Sequence, residues 1–214
     1  MRILAVGAHP DDVEVGCGGT LVQYTQKGHE VYILVLSHGE ASGDPQIRKK
    51  ECELAAKIIG AEIFFGDLKD TKIADGIETI MAIENVMNQI KPDYIFSHSS
   101  KDGHQDHRNV GFATLSAARR SKKVLLYESP AALREFCPQV FVDISTTFSF
   151  KMKALEAFGS QVSKPYFQGV NMSDESRKFS YVLNAVEGLA VYRGFQAGVQ
   201  LAEAFEVGRY ILEI

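Results

Sequence analysis

Short apolar runs alternate with segments of helical periodicity along most of the chain. The apolar runs are rich in Val, Ile, Leu, Phe and Tyr and predict strands at residues 2–7, 30–36, 61–65, 93–98 and 123–127. The segments between them carry apolar residues at helical spacing and predict helices at 17–27, 47–59, 77–90 and 106–119. Gly28 and Gly60 stand where helices usually end, and Lys91-Pro92 ends the third helix, because a proline disfavours helical geometry in the residue before it.

This alternation of strands and helices predicts a Rossmann-like three-layer α/β sandwich, a mostly parallel sheet with helices on both faces. The apolar runs are continuous, as expected for strands that are covered on both sides. After residue 138 we predict a strand at 139–144, helices at 146–160 and from about 174 into the 190s, and a strand or edge segment in the final RYILEI. No linker or repeat interrupts the pattern, which predicts one domain over residues 1–214.

Polar loops rich in ionisable residues follow three of the predicted strands. They begin at His9, His38 and His98. Because the carboxyl ends of parallel strands lie at one edge of a sheet, and open α/β sheets bind ligands there, we expect these loops to form one site.

Composition and charge narrow the classes of function. The chain has 214 residues, 45% of them hydrophobic, and a net charge of −4; this lack of basic excess argues against nucleic-acid binding. Its three cysteines, Cys17, Cys52 and Cys137, are widely spaced, which predicts a reducing compartment and hence a cytoplasmic location. No apolar run approaches the roughly 20 residues that a membrane span needs, so we expect no membrane association.

The first polar loop, AHPDDVEVGCGG, does not fit a dinucleotide site. It lacks G-x-G-x-x-G directly after the strand. The carboxylates of Asp11 and Asp12 would also repel a pyrophosphate.

A metal site fits the same loop better. His9 and Asp12 lie three residues apart across a turn stiffened by Pro10, and zinc accepts both imidazole and carboxylate ligands. A third ligand is available in GHQDHRN, where His104 and His107 are spaced to share one face of a helix start. Each residue alone has a plain structural explanation, since an Asp near a helix start is usually an N-cap. The combination of two clusters at one sheet edge favours a hydrolytic metal site.

Two blocks carry a resemblance to a known family. AHPDDVEVGCGGTL and DGHQDHRNVG are similar to the A-H-P-D-D-x-E and H-x-D-H blocks of the PIG-L/LmbE-like N-acetylglucosaminyl deacetylases. IRKKECELAAKIIG resembles the R-x-x-E helix of that family. FGSQ and YRGFQAGVQLAEAF resemble its bacillithiol-pathway branch, whose substrate is GlcNAc-malate.

The resemblance implies a role for six side chains. His9, Asp12 and His107 would hold the metal, Asp11 would be the general base, His104 would stabilise the oxyanion or protonate the leaving amine, and Arg48 would face the sugar or its aglycone. It further implies Zn²⁺, with Fe²⁺ suited to the same ligands, a small acetamido-sugar substrate, and a homo-oligomer (a trimer or hexamer). His38 departs from the family pattern, because many relatives have threonine there.

Several further residues are candidates for supporting roles. Asp102 and Asp106 are suited to accept a hydrogen bond from a histidine ring. His98 ends a strand at the predicted site, and Tyr192 either approaches that site from the C-terminal segment or packs in the core.

Two other functions stay open at this point. Another mononuclear metal hydrolase, such as a phosphoesterase, would use the same ligands, although phosphoryl transfer favours Arg, Lys or a second metal near the oxygens. A non-catalytic sugar-binding module would bind its ligand without needing the metal.

Overall fold

The computed structural model describes residues 1–162 and 181–212. Its strands are β1 (Arg2–Gly7), β2 (Glu30–Ser37), β3 (Glu62–Leu68), β4 (Tyr94–His98), β5 (Lys123–Tyr127), β6 (Val140–Asp143) and β7 (Ala202–Tyr210). Its helices are α1 (Asp12–Gln26), α2 (Pro45–Ile59), α3 (Ile77–Ile90), α4 (Gln105–Ala117), α5 (Phe148–Glu156), α6 (Gly159–Val162) and α7 (Tyr181–Ala197).

The described strands form one sheet in the order β3-β2-β1-β4-β5-β7-β6. The first five strands pair in parallel, and β7 runs antiparallel to both β5 and β6. The predicted fold class, a mostly parallel α/β sandwich, is confirmed.

Alternate side chains of a strand point to opposite faces of the sheet and contribute to two hydrophobic cores, one on each face. In β1, Ile3 and Ala5 pack on the face that residues of α1, α2 and α5 cover, whereas Leu4 and Val6 pack on the face that residues of α3 and α4 cover. Both sets are buried, which explains why these runs are apolar at every position.

Helix α1 differs from its prediction. It begins at Asp12 rather than at residue 17, and its backbone leaves helical geometry at Cys17 (φ −145°, ψ 15°). The predicted start at residue 17 thus coincides with the break. The first turn was missed because Gly16 weakens the helical signal where this turn joins the rest of the helix.

The C-terminal segment also departs from expectation. The final strand begins at Ala202 and lies between β5 and β6 instead of forming an edge segment at 209–214; residues 213–214 lie outside the described residues. The helix predicted at 146–160 is divided into α5 and α6. Of the helix predicted from about 174, the described part is α7, and the earlier residues lie outside the described ranges.

Strand order places the polar loops together. β1 and β4 are neighbours, and their connections leave toward opposite sides of the sheet, so a crevice forms at their carboxyl ends. Ser37 Oγ donates to Ala8 O (2.9 Å). Ala8 N donates to His98 Nε2 (3.1 Å). These bonds join the ends of β1, β2 and β4 at this crevice.

Within residues 1–162 and 181–212, the helices are all too short or too polar to cross a membrane.

Candidate metal centre

His9, Asp12 and His107 meet at the carboxyl ends of the strands. Nδ1 of His9 lies 3.3 Å from Asp12 Oδ2, and Nε2 of His107 lies 3.2 Å from Asp12 Oδ1. All three line a cleft of about 240 Å³. Oδ2 of Asp12 therefore faces His9, and Oδ1 faces His107.

The structure contains overlapping groups of metal-ligating side chains. In each group the ligand atoms lie within 4.8 Å of one another; the groups are His9–His104–His107, Asp12–His98–His107 and His9–Asp70–Asp106. The predicted set takes members from the first two groups and is not itself one of the three. The structure thus brings the predicted ligands together, and their coordination of an ion stays a prediction.

Carboxylates also lie beside the ring nitrogens of His9 and His107 that do not face Asp12. Nε2 of His9 lies 3.1 Å from both Asp106 Oδ2 and Asp70 Oδ1. Nδ1 of His107 lies 3.2 Å from Asp102 Oδ1. A carboxylate that takes one ring N–H leaves the other nitrogen to bind a metal. Sequence reasoning missed Asp70, because the loop after β3 offers no motif that distinguishes this aspartate from its neighbours.

The electrostatics of the site favour positive charge. Burial disfavours charged imidazoles, but Asp12 and the carboxylates behind the rings outweigh it and raise the pKa of His9 to about 12 and that of His107 to about 10. Burial acts against a charged Asp12 as well, yet the three histidines around it hold the pKa of this carboxyl well below its usual range. Surroundings that stabilise cations suit a divalent ion. The donor set therefore fits a metal of the zinc type.

Asp11 lines the cleft beside this contact. It occupies the N-cap position of α1 with a left-handed backbone (φ 93°), but its side chain caps no backbone N–H. Such a conformation costs a non-glycine residue about 1–3 kcal/mol and persists where the surroundings enforce it. Burial and the adjacent charge of Asp12 raise the pKa of Asp11 to about 7. Asp11 is thus suited to exchanging a proton near neutral pH.

Arg48 holds the loop that carries Asp11. Its Nη2 donates to Pro10 O (2.8 Å) and lies 3.5 Å from Asp11 Oδ2, and its Nη1 donates to Gly39 O (3.0 Å). Gly39 permits this approach, because a Cβ at that residue would lie 2.3 Å from Nη1. The side chain is 4% exposed, so its guanidinium is engaged mainly with the protein. Arg48 also lines the cleft, and a contact with substrate stays a prediction.

His104 caps helix α4 at the cleft. Its Nδ1 accepts a hydrogen bond from Asp106 N (3.2 Å), so a neutral His104 ring carries its proton on Nε2. The ring centroid lies 4.9 Å from that of His9 and 4.6 Å from that of His107. Burial and these neighbouring histidines lower the pKa of His104.

His98 lies against both His107 and Asp12. The ring is buried, stacks on His107 with 4.1 Å between centroids, and places Nε2 3.1 Å from Asp12 Oδ2. Burial lowers the pKa of His98 to about 4, so its ring is neutral at neutral pH.

Two other candidates lie elsewhere. His38 pairs with Asp67 (2.7 Å) and stacks on Phe65. Tyr192 is exposed on α7, and its hydroxyl accepts a hydrogen bond from Gln196. Neither His38 nor Tyr192 is among the described residues that line the cleft.

The fold and the site together define an α/β protein with a His–Asp centre at the switch point of its sheet. Residues 4–118 match the model of the PIG-L family, described as GlcNAc-PI de-N-acetylase. The chain belongs to this family, as its two sequence blocks predicted.

Individual relatives agree with this assignment. The chain is 36% identical over 163 residues to the uncharacterized deacetylase YaiS of Escherichia coli. The alignment covers 72% of this chain and 88% of YaiS. It is 27% identical over 186 residues to diacetylchitobiose deacetylase of Thermococcus kodakarensis, covering 75% of this chain and 70% of the relative. It is also 23% identical over 188 residues to 4-oxalmesaconate hydratase of Pseudomonas putida, covering 74% of this chain and 73% of the relative.

A solved structure matches the fold over nearly the whole length. The conserved protein TT1542 from Thermus thermophilus superposes with a TM-score of 0.83 at 25% identity, covering 99% of this chain and 96% of that chain. The relatives therefore include two deacetylases and one hydratase.

Proposed function

We propose that this chain is a metal-dependent N-deacetylase that hydrolyses the acetamido group of a small GlcNAc-containing glycoside. The observation that carries this proposal is the paired orientation of His9 and His107. Each ring has one nitrogen beside a carboxylate and the other beside Asp12. A second carboxylate, that of Asp11, lies next to this centre and is held by Arg48.

The metal would be held by His9, Asp12 and His107. Zn²⁺ suits this donor set, and Fe²⁺ suits it as well. When bound, the metal supplies a Lewis acid that polarises the amide carbonyl and lowers the pKa of water to about 7.

Asp11 would act as general base. Its side chain is 28% exposed and lines the cleft beside the proposed ligands. Asp11 would take a proton from the attacking water as the C–O bond forms. Because an amine leaves an amide only once its nitrogen is protonated, that proton would then pass to the nitrogen. The C–N bond would then break, and the products are acetate and the free amine.

His104 would stabilise the anionic oxygen of the tetrahedral intermediate or protonate the leaving amine. Since its Nδ1 accepts the α4 capping bond, Nε2 is the nitrogen available to donate. A single donor at an oxyanion is typically worth about 100- to 1000-fold in rate. His104→Ala should therefore lower kcat more than it changes KM.

Family membership and the deacetylase relatives support an acetamido-sugar substrate. The GlcNAc-malate-like aglycone rests on the resemblance of FGSQ and the YRGFQAG segment alone. One domain over residues 1–214, a cytoplasmic location and a trimeric or hexameric assembly belong to the same proposal.

The decisive experiment measures acetate release from a panel of acetamido sugars that includes GlcNAc-malate and diacetylchitobiose. The protein is stripped with a chelator and reloaded with Zn²⁺ or Fe²⁺. We expect release only after reloading, and loss of release in Asp11→Asn with bound metal retained. Asp67→Asn, an exposed aspartate outside the cleft, is the matched control. Turnover of a phosphate ester or hydration of an unsaturated acid in place of acetate release would refute the proposal, as would sugar binding that is indifferent to chelation.

A further inference from the structure

Helix α1 is broken behind the candidate metal centre. The backbone leaves helical geometry at Cys17, so the first turn, which begins at Asp12, is separated from the rest of the helix. A break leaves carbonyl groups on one side and N–H groups on the other without helical partners. Here the freed groups include Val15 O before the break and the N–H groups of Gly19 and Thr20 after it.

Lys151 and Glu203 satisfy these freed groups. Lys151 Nζ donates to Val15 O (2.8 Å) and to Glu203 Oε1 (2.6 Å). Glu203 accepts from Gly19 N (2.9 Å) through Oε1 and from Thr20 N (2.8 Å) through Oε2. Both side chains are 3% exposed. One ion pair thus provides hydrogen-bond partners for the C-terminal end of the first turn and for the N-terminal end of the second part of the helix.

The same turn carries the paired aspartates. Val15 N donates to Asp11 O (2.9 Å), and Val15 O accepts from Lys151, so a continuous path of hydrogen bonds runs from the ion pair to Asp11. A single helical turn has few internal bonds to maintain its direction. The direction of this turn therefore depends on how its C-terminal end is held.

We propose that Lys151 and Glu203 are positioning residues, which hold the first turn of α1 so that Asp12 faces the two imidazoles and Asp11 stays in its left-handed conformation. The role in catalysis rests on the proposed function; the role in arranging the metal ligands does not need it. Well-packed apolar residues often replace a buried ion pair without loss of stability. Apolar residues would offer no donor to Val15 O and no acceptor to Gly19 and Thr20.

The test is the double variant Lys151→Met/Glu203→Gln, which removes both charges and leaves neither one buried without its partner. Dissociation constants for Co²⁺ and Zn²⁺ are measured by chelator competition, and the visible absorption of bound Co²⁺ reports ligand geometry. We expect metal affinity to fall by about tenfold or more, as for other changes behind metal ligands. We also expect an altered Co²⁺ spectrum and, where acetate release is measured, a lower kcat at similar KM.

Arg209→Met is the matched control. Arg209 Nη1 donates to the carbonyls of Ala118, Arg119 and Ser121 at the opposite edge of the sheet. Its removal takes a cation from a helix end far from the cleft. We expect it to lower the melting temperature while metal affinity and the Co²⁺ spectrum stay at wild-type values.

The outcomes are distinguishable. Wild-type metal affinity and spectrum in a folded double variant would overturn the proposal, and so would an equal loss of affinity in Arg209→Met. Where the double variant does not fold, Glu203→Asp, which keeps both charges but shortens the acceptor, decides by the same measurements, and Lys151→Arg, which keeps a cation, should retain wild-type affinity. A wild-type protein that binds metal but releases no acetate would refute the proposed function only.

Discussion

A single methyl group at Gly16 tests whether the first turn of α1 must sit where it does. A Cβ at this position would lie 2.1 Å from Tyr127 Cδ2, well inside the 3.4–4 Å of ordinary contact. Tyr127 has little freedom to retreat, because its hydroxyl donates to Val6 O (2.8 Å) and its ring contacts His98 at 4.8 Å between centroids. Either the turn or the tyrosine must therefore move by more than about 1 Å.

Gly16→Ala should cost about 1–3 kcal/mol of unfolding free energy, typical of an overpacked core. That cost corresponds to a melting temperature lower by about 2–12 °C for a chain of this size. A displacement of about 1 Å at reacting groups lowers rates by about 100-fold. Movement of the turn shifts Asp12, and movement of the tyrosine shifts His98 against His107, so both routes reach the metal centre.

The assay combines thermal unfolding, metal affinity and acetate release. Gly18→Ala is the control, because its Cβ would lie 3.5 Å from Lys151 Cγ, an ordinary contact. We expect Gly16→Ala to lose stability and metal affinity together while Gly18→Ala keeps both near wild type. Wild-type affinity and melting temperature in Gly16→Ala would refute the reasoning.

Three further predictions concern buried ionisable side chains. Asp70→Asn leaves His9 with one of its two carboxylates and should weaken metal binding by about tenfold; unchanged affinity in chelator competition would contradict this. Arg193→Met leaves Glu128 buried without its bidentate partner and should cost about 3–5 kcal/mol in urea unfolding, so a cost below about 1 kcal/mol would refute it. Burial raises the pKa of Glu14 from 4.5 to about 8. Between these two pH values the native carboxyl keeps its proton, whereas the carboxyl of the unfolded chain has lost it. The stabilisation that this difference provides is fully present below pH 4.5 and is lost as the pH rises through 8. Glu14→Gln should therefore lose less unfolding free energy than wild type between about pH 5 and pH 8, and equal losses would count against the assignment.

The parallel part of the fold could be predicted because β1, β2, β4 and β5 are buried on both faces along most of their length, although the edge strand β3 is only half-buried. Continuous apolar runs such as residues 2–7 have no exposed face to interrupt them, and Gly60 marks the end of α2 with a left-handed backbone. The first turn of α1 could not be predicted in this way. This turn packs closely against Tyr127, and Lys151 donates a hydrogen bond to its carbonyl group at Val15. Both partners lie more than 100 residues away in the sequence, so local periodicity gives no sign of them.

The candidate site was predictable to the extent that its residues stand in compact motifs. His9 and Asp12 lie in one block and His107 in the other, and strand order brings the two blocks together. Asp70 and Glu203 belong to no metal-ligand motif in the sequence, and only tertiary structure shows what they contact. The contact of Arg48 with the loop that carries Asp11 likewise depends on the conformation of the Gly39 loop.

The bonds from Glu203 to Gly19 and Thr20 span 184 and 183 residues, and this separation has a consequence for biosynthesis. Contacts between distant parts of a chain form slowly, because the intervening segment must first be ordered. During translation the His9–Asp12 segment leaves the ribosome before β7, which follows every other described element. Until β7 is made, the nascent protein therefore carries its aspartates without the strand that caps the second part of their helix. Full metal affinity should appear only when β7 has inserted between β5 and β6.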